Sequence, residues 1–283
     1  MVRLICYNIE YCEGIEGLWY QYLKFWRTFF PPKRLDERIV AALKEIKPDI
    51  LALVEVDIGS FRSRGKDEVR FIEEKLGMKD FVEKIKYPWQ GWLRLFHHVP
   101  IMNKQANALI SKYQISKVIY HVLHEGTKRV VIEAKIHVPE EVTLLLVHLA
   151  RFEKAREKQL EELVRMVNAI STPVILMGDF NTYHGEREIK QLLKETRLRD
   201  RVNLDKHSRH VTLPVWHPSK RLDYILTSLE IKVHRYSVLH FHFSDHLPLL
   251  VDFTVRKKTG ERGRIKKMEN AKALKTAKSF FHS

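Results

Sequence analysis

Cysteine is scarce in this chain of 283 residues: Cys6 and Cys12 are the only two, close together and outside any framework pattern. Disulfide stapling is therefore not expected to matter, and without a second clustered pair the two thiols read as buried side chains, not as a soft-metal site. Long hydrophobic runs are missing as well. No stretch reaches the roughly 18 apolar residues of a membrane span, and the opening run Val2–Tyr7 is too short for the apolar core of a signal peptide. The expectation is a soluble cytoplasmic protein. Neither an internal repeat nor a low-complexity block is found before the tail. Acidic charge is in deficit, with 35 Asp and Glu against 50 Lys and Arg, a net of +15. An anionic partner is implied: nucleic acid, an acidic membrane surface or a phosphorylated small molecule. The excess is unevenly placed. From Arg256 onward ten Lys or Arg face Glu261 and Glu269, a net of +8, which leaves +7 for the first 255 residues.

What is present suits one large domain. With 45% hydrophobic residues the chain can bury a sizeable core, and residues 1–255 read as a single α/β domain followed by a basic tail, 256–283, disordered or a lone helix. Val2–Tyr7, Ile50–Val54 and Phe81–Ile85 have the apolar character of strands. Leu35, Ile39, Ala42, Leu43 and Ile46 recur at helical spacing and stop before Pro48, and Lys66–Leu76 reads as a second helix. Four strands, 107–111, 115–123, 129–138 and 142–149, suggest an antiparallel meander. A helix over Glu153–Ala169, a strand running into Gly178, a helix over Glu186–Glu195 and strands at 223–227, 231–239 and 249–255 complete the domain. Trp19, Tyr22, Trp26 and Phe29 would line one face of a helix stopped by Pro31-Pro32. Such a stripe is either core or an exposed patch for lipid or stacked bases. Residues 87–100 read as a long loop mixing aromatic and basic side chains.

Apolar strands in this sequence repeatedly end on polar groups. Val174-Ile175-Leu176-Met177 runs into Gly178 and stops at Asp179, Phe180 and Asn181. A period of two sends Asp179 and Asn181 to one face while Phe180 enters the core; taken alone, the segment reads equally well as an Asx-type turn. The same pattern recurs at Asn8 with Glu10, at Glu55, at His148, at Asp223 and at Asp245 with His246. Carboxylates, carboxamides and imidazoles directly after apolar strands, six times over, exceed what turn caps explain.

Seven segments in order, Tyr7–Glu10, Pro48–Val56, Asn107–Lys112, Val147–Leu149, Gly178–Asn181, Leu222–Ile225 and Ser244–Pro248, resemble those of the endonuclease/exonuclease/phosphatase superfamily of metal-dependent phosphoesterases. The resemblance spans residues 1 to about 255. It implies two mixed β-sheets packed as a sandwich with helices on the outer faces, a four-layer DNase-like α/β/β/α arrangement with the site at one edge.

Within that frame, oxygen donors suit Mg²⁺, with Mn²⁺ as the alternative. Glu55 is the first candidate ligand, with Asn8, Glu10 and Asp245 beside it. Asp179 is the candidate for orienting or deprotonating the attacking water, and Asn181 for holding that water or a phosphate oxygen. His246 invites a proton-transfer role with Asp223 behind it, and His148 a position across the phosphate. Which histidine serves as acid is left open. Asn107 and Arg156 are candidate substrate contacts. Two departures stand out: apurinic endonucleases typically carry tyrosine at the place of His148, and where pancreatic-type nucleases support that histidine with a carboxylate this chain offers Gln105 and Asn107. The implied reaction is phosphodiester cleavage of nucleic acid. A phospholipid or inositol-phosphate hydrolase and a non-catalytic nucleic-acid-binding module are the alternatives.

Overall fold

The side chains of β1 (Val2–Asn8) are buried on both of its faces, so the strand needs a packed layer on each side. Leu4 and Cys6 face one way, together with Ile50, Ala52 and Val54 of β2 (Ile50–Asp57), and meet the second sheet. Ile5, Tyr7, Leu51 and Leu53 face the other way and meet two helices, α1 (Leu35–Ile46) and α2 (Glu68–Leu76). The structure, a computed structural model, describes residues 1–14, 31–32, 34–87, 102–202 and 210–256. The aromatic stripe of residues 19–30, the basic-aromatic loop beyond Tyr87 and the tail beyond Arg256 lie outside the described residues.

Six strands form each sheet. The first runs β11-β12-β1-β2-β4-β3, with β3 (Asp80–Ile85), β4 (Gln105–Ser111), β11 (Ile231–Val238) and β12 (Leu249–Val255). The second runs β5-β6-β7-β8-β10-β9 and comprises β5 (Ile115–Val122), β6 (Val130–Val138), β7 (Glu140–His148), β8 (Val174–Asp179), β9 (Leu198–Asp200) and β10 (Asp223–Ser228). Leu144, Leu146, Ile175 and Met177 project from the second sheet into the shared core. Leu145, Val147 and Leu176 project from its other face onto α3 (Glu153–Ala169) and α4 (Lys190–Glu195). The layers are helix, sheet, sheet, helix, as the resemblance implies.

Local chemistry sets the helix ends. Asp67 caps α2 by accepting from the backbone N–H groups of Val69 and Arg70 at 2.9 and 3.1 Å, and Gly77 ends it at φ 60°.

The meander is a three-strand affair. β5, β6 and β7 pair antiparallel in the second sheet, but β4 pairs antiparallel with both β2 and β3 in the first, so the chain changes sheets between Ser111 and Ile115. Alternating strands of similar length do not record which sheet each joins. The helix expected over 186–195 is a 3-10 turn, Glu186–Ile189, followed by α4, and three-residue β9 was too short to register in the sequence.

Each sheet contains one parallel pair. β1 and β2 are joined across α1, and β7 and β8 across α3. The C-terminal ends of both pairs open at the same edge of the sandwich.

Candidate active site

Inner-face parity delivers most of the site. The alternation Leu4, Cys6 continues to Asn8; Leu144, Leu146 to His148; Ile175, Met177 to Asp179; and Ile225 leads back to Asp223. Register then aligns them, with His148 opposite Asp179 and Asp179 opposite Asp223. Gly178 makes this approach of β7 and β8 possible: at φ 137° a Cβ there would overlap the Val147 carbonyl.

Glu55 arrives by breaking the alternation. Strict parity would turn it toward the helices, but its left-handed φ of 59° coincides with a register shift between Leu53 and Val56 on β4. The resulting bulge sends Val56 into the helix-side core and frees the carboxylate for the site. A second unusual turn follows β1, where Glu10, Tyr11 and Cys12 have φ values of 47°, 50° and 56°. Non-glycine residues in this region cost on the order of 1–3 kcal/mol each. The return is contact: the Glu10 N–H donates to Asn8 Oδ1 at 3.1 Å, Glu10 Oε2 accepts from the Asp245 N–H at 3.2 Å, and the Tyr11 hydroxyl donates to Glu55 Oε1 at 3.2 Å.

Around the opening, Asn8 Nδ2 donates to Asp179 Oδ2 at 3.2 Å, and His148 Nε2 lies 3.4 Å from the same oxygen. His246 Nδ1 bonds Asp223 Oδ2 at 2.7 Å, while its Nε2 stands 3.9 Å from Asp245. Ser244 anchors this loop by donating to the Asn8 carbonyl at 2.7 Å. Asn107 Oδ1 accepts from the Glu55 N–H at 3.3 Å, and its buried Nδ2 has no hydrogen-bond partner among the described residues. Asp223 Oδ1 is likewise buried and unmatched.

The electrostatics are uneven. Burial raises the Asp179 carboxyl from 3.8 to about 6, against the opposing pull of His246. Burial disfavours the charged form of His246, yet Asp223, Asp245 and Asp179 together hold it well above the ordinary range. His148 goes the other way: burial, then Lys128 and Lys86, push it well below 6.5. The surroundings thus drive the two imidazoles in opposite directions, His246 toward its charged form and His148 toward its neutral one. Glu10 is driven well above 4.5 by burial and by the neighbouring carboxylates of Asp245, Glu13 and Glu55.

That crowd of negative charge is an observation in favour of a cation. Asp245 and Glu55 lie near enough to act on Glu10, and Asn8 Oδ1 accepts from the Glu10 N–H; together they offer a hard-oxygen donor set of the kind Mg²⁺ takes. Among the described residues, the group of three whose ligand atoms lie within 4.8 Å of one another is a different one: Glu153 at the start of α3, His184 and Glu188, the first two exposed.

Not every expected residue meets the site. Arg156 is 0% exposed; its guanidinium is spent on Glu188 at 2.5–2.6 Å and on the carbonyls of Ala150 and Arg151, so it braces the β7–α3 turn and cannot reach substrate. Asn181 has φ 52°, and its Nδ2 donates to the Leu149 carbonyl at 2.9 Å while its N–H donates to Asp179 Oδ1 at 2.9 Å. The Asx turn and the site are therefore the same object. Sequence reasoning missed Tyr11, Lys86 and Lys128. Lys86 Nζ donates to Glu55 Oε1 at 3.0 Å, and Lys128 Nζ contacts His148 Nε2. Lys128 lies in a loop before β6, and Lys86, although it directly follows β3, is a cation and so falls outside the carboxylate, carboxamide and imidazole pattern of the other strand ends.

The fold is shared with known structures. An endonuclease/exonuclease/phosphatase from Beutenbergia cavernae superposes with a TM-score of 0.66 at 18% identity, over 90% of this chain and 72% of that one. The mannosyl-6-phosphatase of Bacteroides thetaiotaomicron gives 0.65 at 15% identity, over 90% and 100%. The human Nocturnin catalytic domain with bound sulfate gives 0.65 at 21% identity, over 90% and 94%. Among curated proteins no sequence relative was found. The sequence matches the Endonuclease/Exonuclease/phosphatase family over residues 7–246, which runs from the end of β1 to His246. The chain belongs to the Endonuclease/Exonuclease/phosphatase family.

Proposed function

We propose that this protein is a divalent-metal-dependent phosphodiesterase that cleaves nucleic acid. Members of the family are metal-dependent phosphoesterases; the choice of nucleic acid is supported by the net charge of +15, of which +8 falls in the tail. The observation that carries the reading is the meeting of Asp179, His148 and the Asp223–His246 pair beside the acids Glu10, Glu55 and Asp245.

In this reading Asn8, Glu10, Glu55 and Asp245 hold Mg²⁺ or Mn²⁺. Such an ion supplies polarisation of the phosphoryl oxygen and neutralises charge developing on the leaving group. Asp179, held in place by the N–H of Asn181 and by Asn8 Nδ2, orients the attacking water and accepts its proton. His246, fixed at Nδ1 by Asp223, presents Nε2 to the phosphate as a donor. His148, 3.4 Å from Asp179 Oδ2, and Asn107, which accepts from the Glu55 N–H, adjoin the same site.

The test is incubation of purified protein and Mg²⁺ with single- and double-stranded DNA and RNA. Cleavage that disappears with chelator and in Glu55→Gln is expected; no metal-dependent cleavage of any form would overturn the reading. Cleavage of phospholipid or inositol phosphate in its place would favour the lipid alternative, which liposome flotation tests separately. Nucleic-acid binding without cleavage would favour the binding-module alternative.

A further inference from the structure

Two cations outside the family's motifs converge on the site, one from each sheet. Lys86 follows β3; its side chain is 3% exposed, its ammonium donates to Glu55 Oε1, and it lies over the rings of Tyr11 and Tyr87, 4.6 and 5.0 Å from their centroids. Lys128 precedes β6; its ammonium contacts His148 Nε2 and stands 3.6 Å from the same Glu55 oxygen. The loop that carries Lys128 is moored. Gln159, fully buried on α3, donates to the carbonyls of Glu125 and Lys128 at 2.7 and 2.8 Å and accepts from the Ala150 N–H at 2.8 Å. Gly126, at φ 83°, packs so closely there that a Cβ would lie 2.9 Å from that of Ala150.

The charges around Glu55 Oε1 do not close. Each ammonium has three N–H donors, and among the described residues the two lysines share this single carboxylate oxygen, with His148 Nε2 as the other contact, made by Lys128. Arg151 adds a third cation close enough to act on His148. Two ammoniums on one oxygen repel each other, and burial of cations is costly unless they are paired. A tetrahedral anion with several oxygens, arriving between them, completes the set.

We propose that Lys86 and Lys128 form a two-ammonium clamp that holds the non-bridging oxygens of the scissile phosphoryl group. The proposal rests on the reading of this site as a phosphoester site, and it assigns the lysines to substrate binding beside Glu55 Oε1. The substrate's phosphate thereby bridges the two sheets.

Binding of inorganic phosphate to the full chain, measured calorimetrically with and without Mg²⁺, tests it. Lys128→Met and Lys86→Met are each expected to weaken phosphate about tenfold, equivalent to about 1.4 kcal/mol, at an unchanged melting temperature and with Mg²⁺ affinity no weaker than in the wild type. Phosphate affinity within about twofold of the wild type in both variants, or no phosphate binding by the wild-type chain, overturns the clamp. Should a variant fail to fold, acetylation of the wild type decides: phosphate is expected to protect Lys128, read by mass spectrometry, and equal labelling with and without phosphate overturns the proposal. Failure of the enzyme reading looks different, since a chain that hydrolyses nothing can still lose phosphate affinity in the lysine variants.

Discussion

Replacing Asp179 with Asn removes one proton-accepting group while leaving the local backbone its hydrogen bond, because an amide oxygen can still accept from the Asn181 N–H at 2.9 Å. Two effects with opposite signs follow. Loss of a general base costs about 10²–10⁴-fold in turnover. Stability moves the other way. The folded carboxyl stands at about 6 against 3.8 for the free group, because burial disfavours its charge. A raised acid contributes stability that is complete below its unfolded value and is lost as pH rises through the folded one. Asparagine does not titrate. Relative to the wild type, Asp179→Asn therefore gains about 3 kcal/mol between pH of about 4 and pH above about 6, from the two-unit shift at 1.36 kcal/mol per unit. Denaturant unfolding of the chelator-treated chains at the two pH values reads the stability change, and single-turnover hydrolysis with Mg²⁺ reads the rate. Near-normal turnover would remove Asp179 from the mechanism, and a stability difference that is the same at both pH values would refute burial as the cause of its shift.

Other perturbations test the supports of the site. Asp223→Asn withdraws the carboxylate 2.7 Å from His246 Nδ1, so the imidazolium should be lost at lower pH and the alkaline limb of the kcat profile should move down. Gly178→Ala forces a Cβ into the Val147 carbonyl, and loss of soluble, cooperatively melting protein is expected. Arg156→Leu strands a buried Glu188 and should cost about 3–5 kcal/mol in unfolding free energy, with the double variant Arg156→Leu/Glu188→Leu recovering much of it. Glu68, fully buried and raised from 4.5 to about 7, should give Glu68→Gln a relative stability gain of about 3 kcal/mol as pH rises from about 4.5 to above about 7, checked by denaturant unfolding.

Much of this was legible in the sequence because apolar runs that stop at a polar residue are a backbone-level signal. Glu153–Ala169 and Leu249–Val255 appear with the bounds their patterns set, and the polar residues at the ends of β1, β7 and β8 meet as their shared parity requires. Sheet membership was not legible. β4 looks like its successors along the chain, and its pairing with β2 and β3 depends on long-range contacts that alternation does not encode. Arg156 was misread because a cation near the start of a helix beside the site resembles a phosphate contact, whereas only its partner Glu188, 32 positions away, reveals a brace. Lys86 and Lys128 escaped for a similar reason: each becomes informative only through Glu55 and His148, which other elements supply.

The site depends on core register more than on any single loop. Asn8, His148, Asp179 and Asp223 extend the inward-facing rows of four strands whose preceding residues form the inter-sheet core. A slip of one residue in β1, β7, β8 or β10 would exchange core and outer faces and withdraw the polar group at the same stroke, so packing and catalysis select the same register. Glu55 is the exception: its bulge spends an unfavourable φ of 59° to bring a carboxylate out of parity. The strain is offset by contact, since the bulge places a carboxylate oxygen between Tyr11, Lys86 and His148 that a straight strand would turn toward the helices. Straightening β2 there, by deleting Glu55, should restore regular pairing with β4 and leave a stable sandwich without metal-dependent chemistry. A deletion that unfolds the chain would show that the bulge is needed for the core as well as for the site.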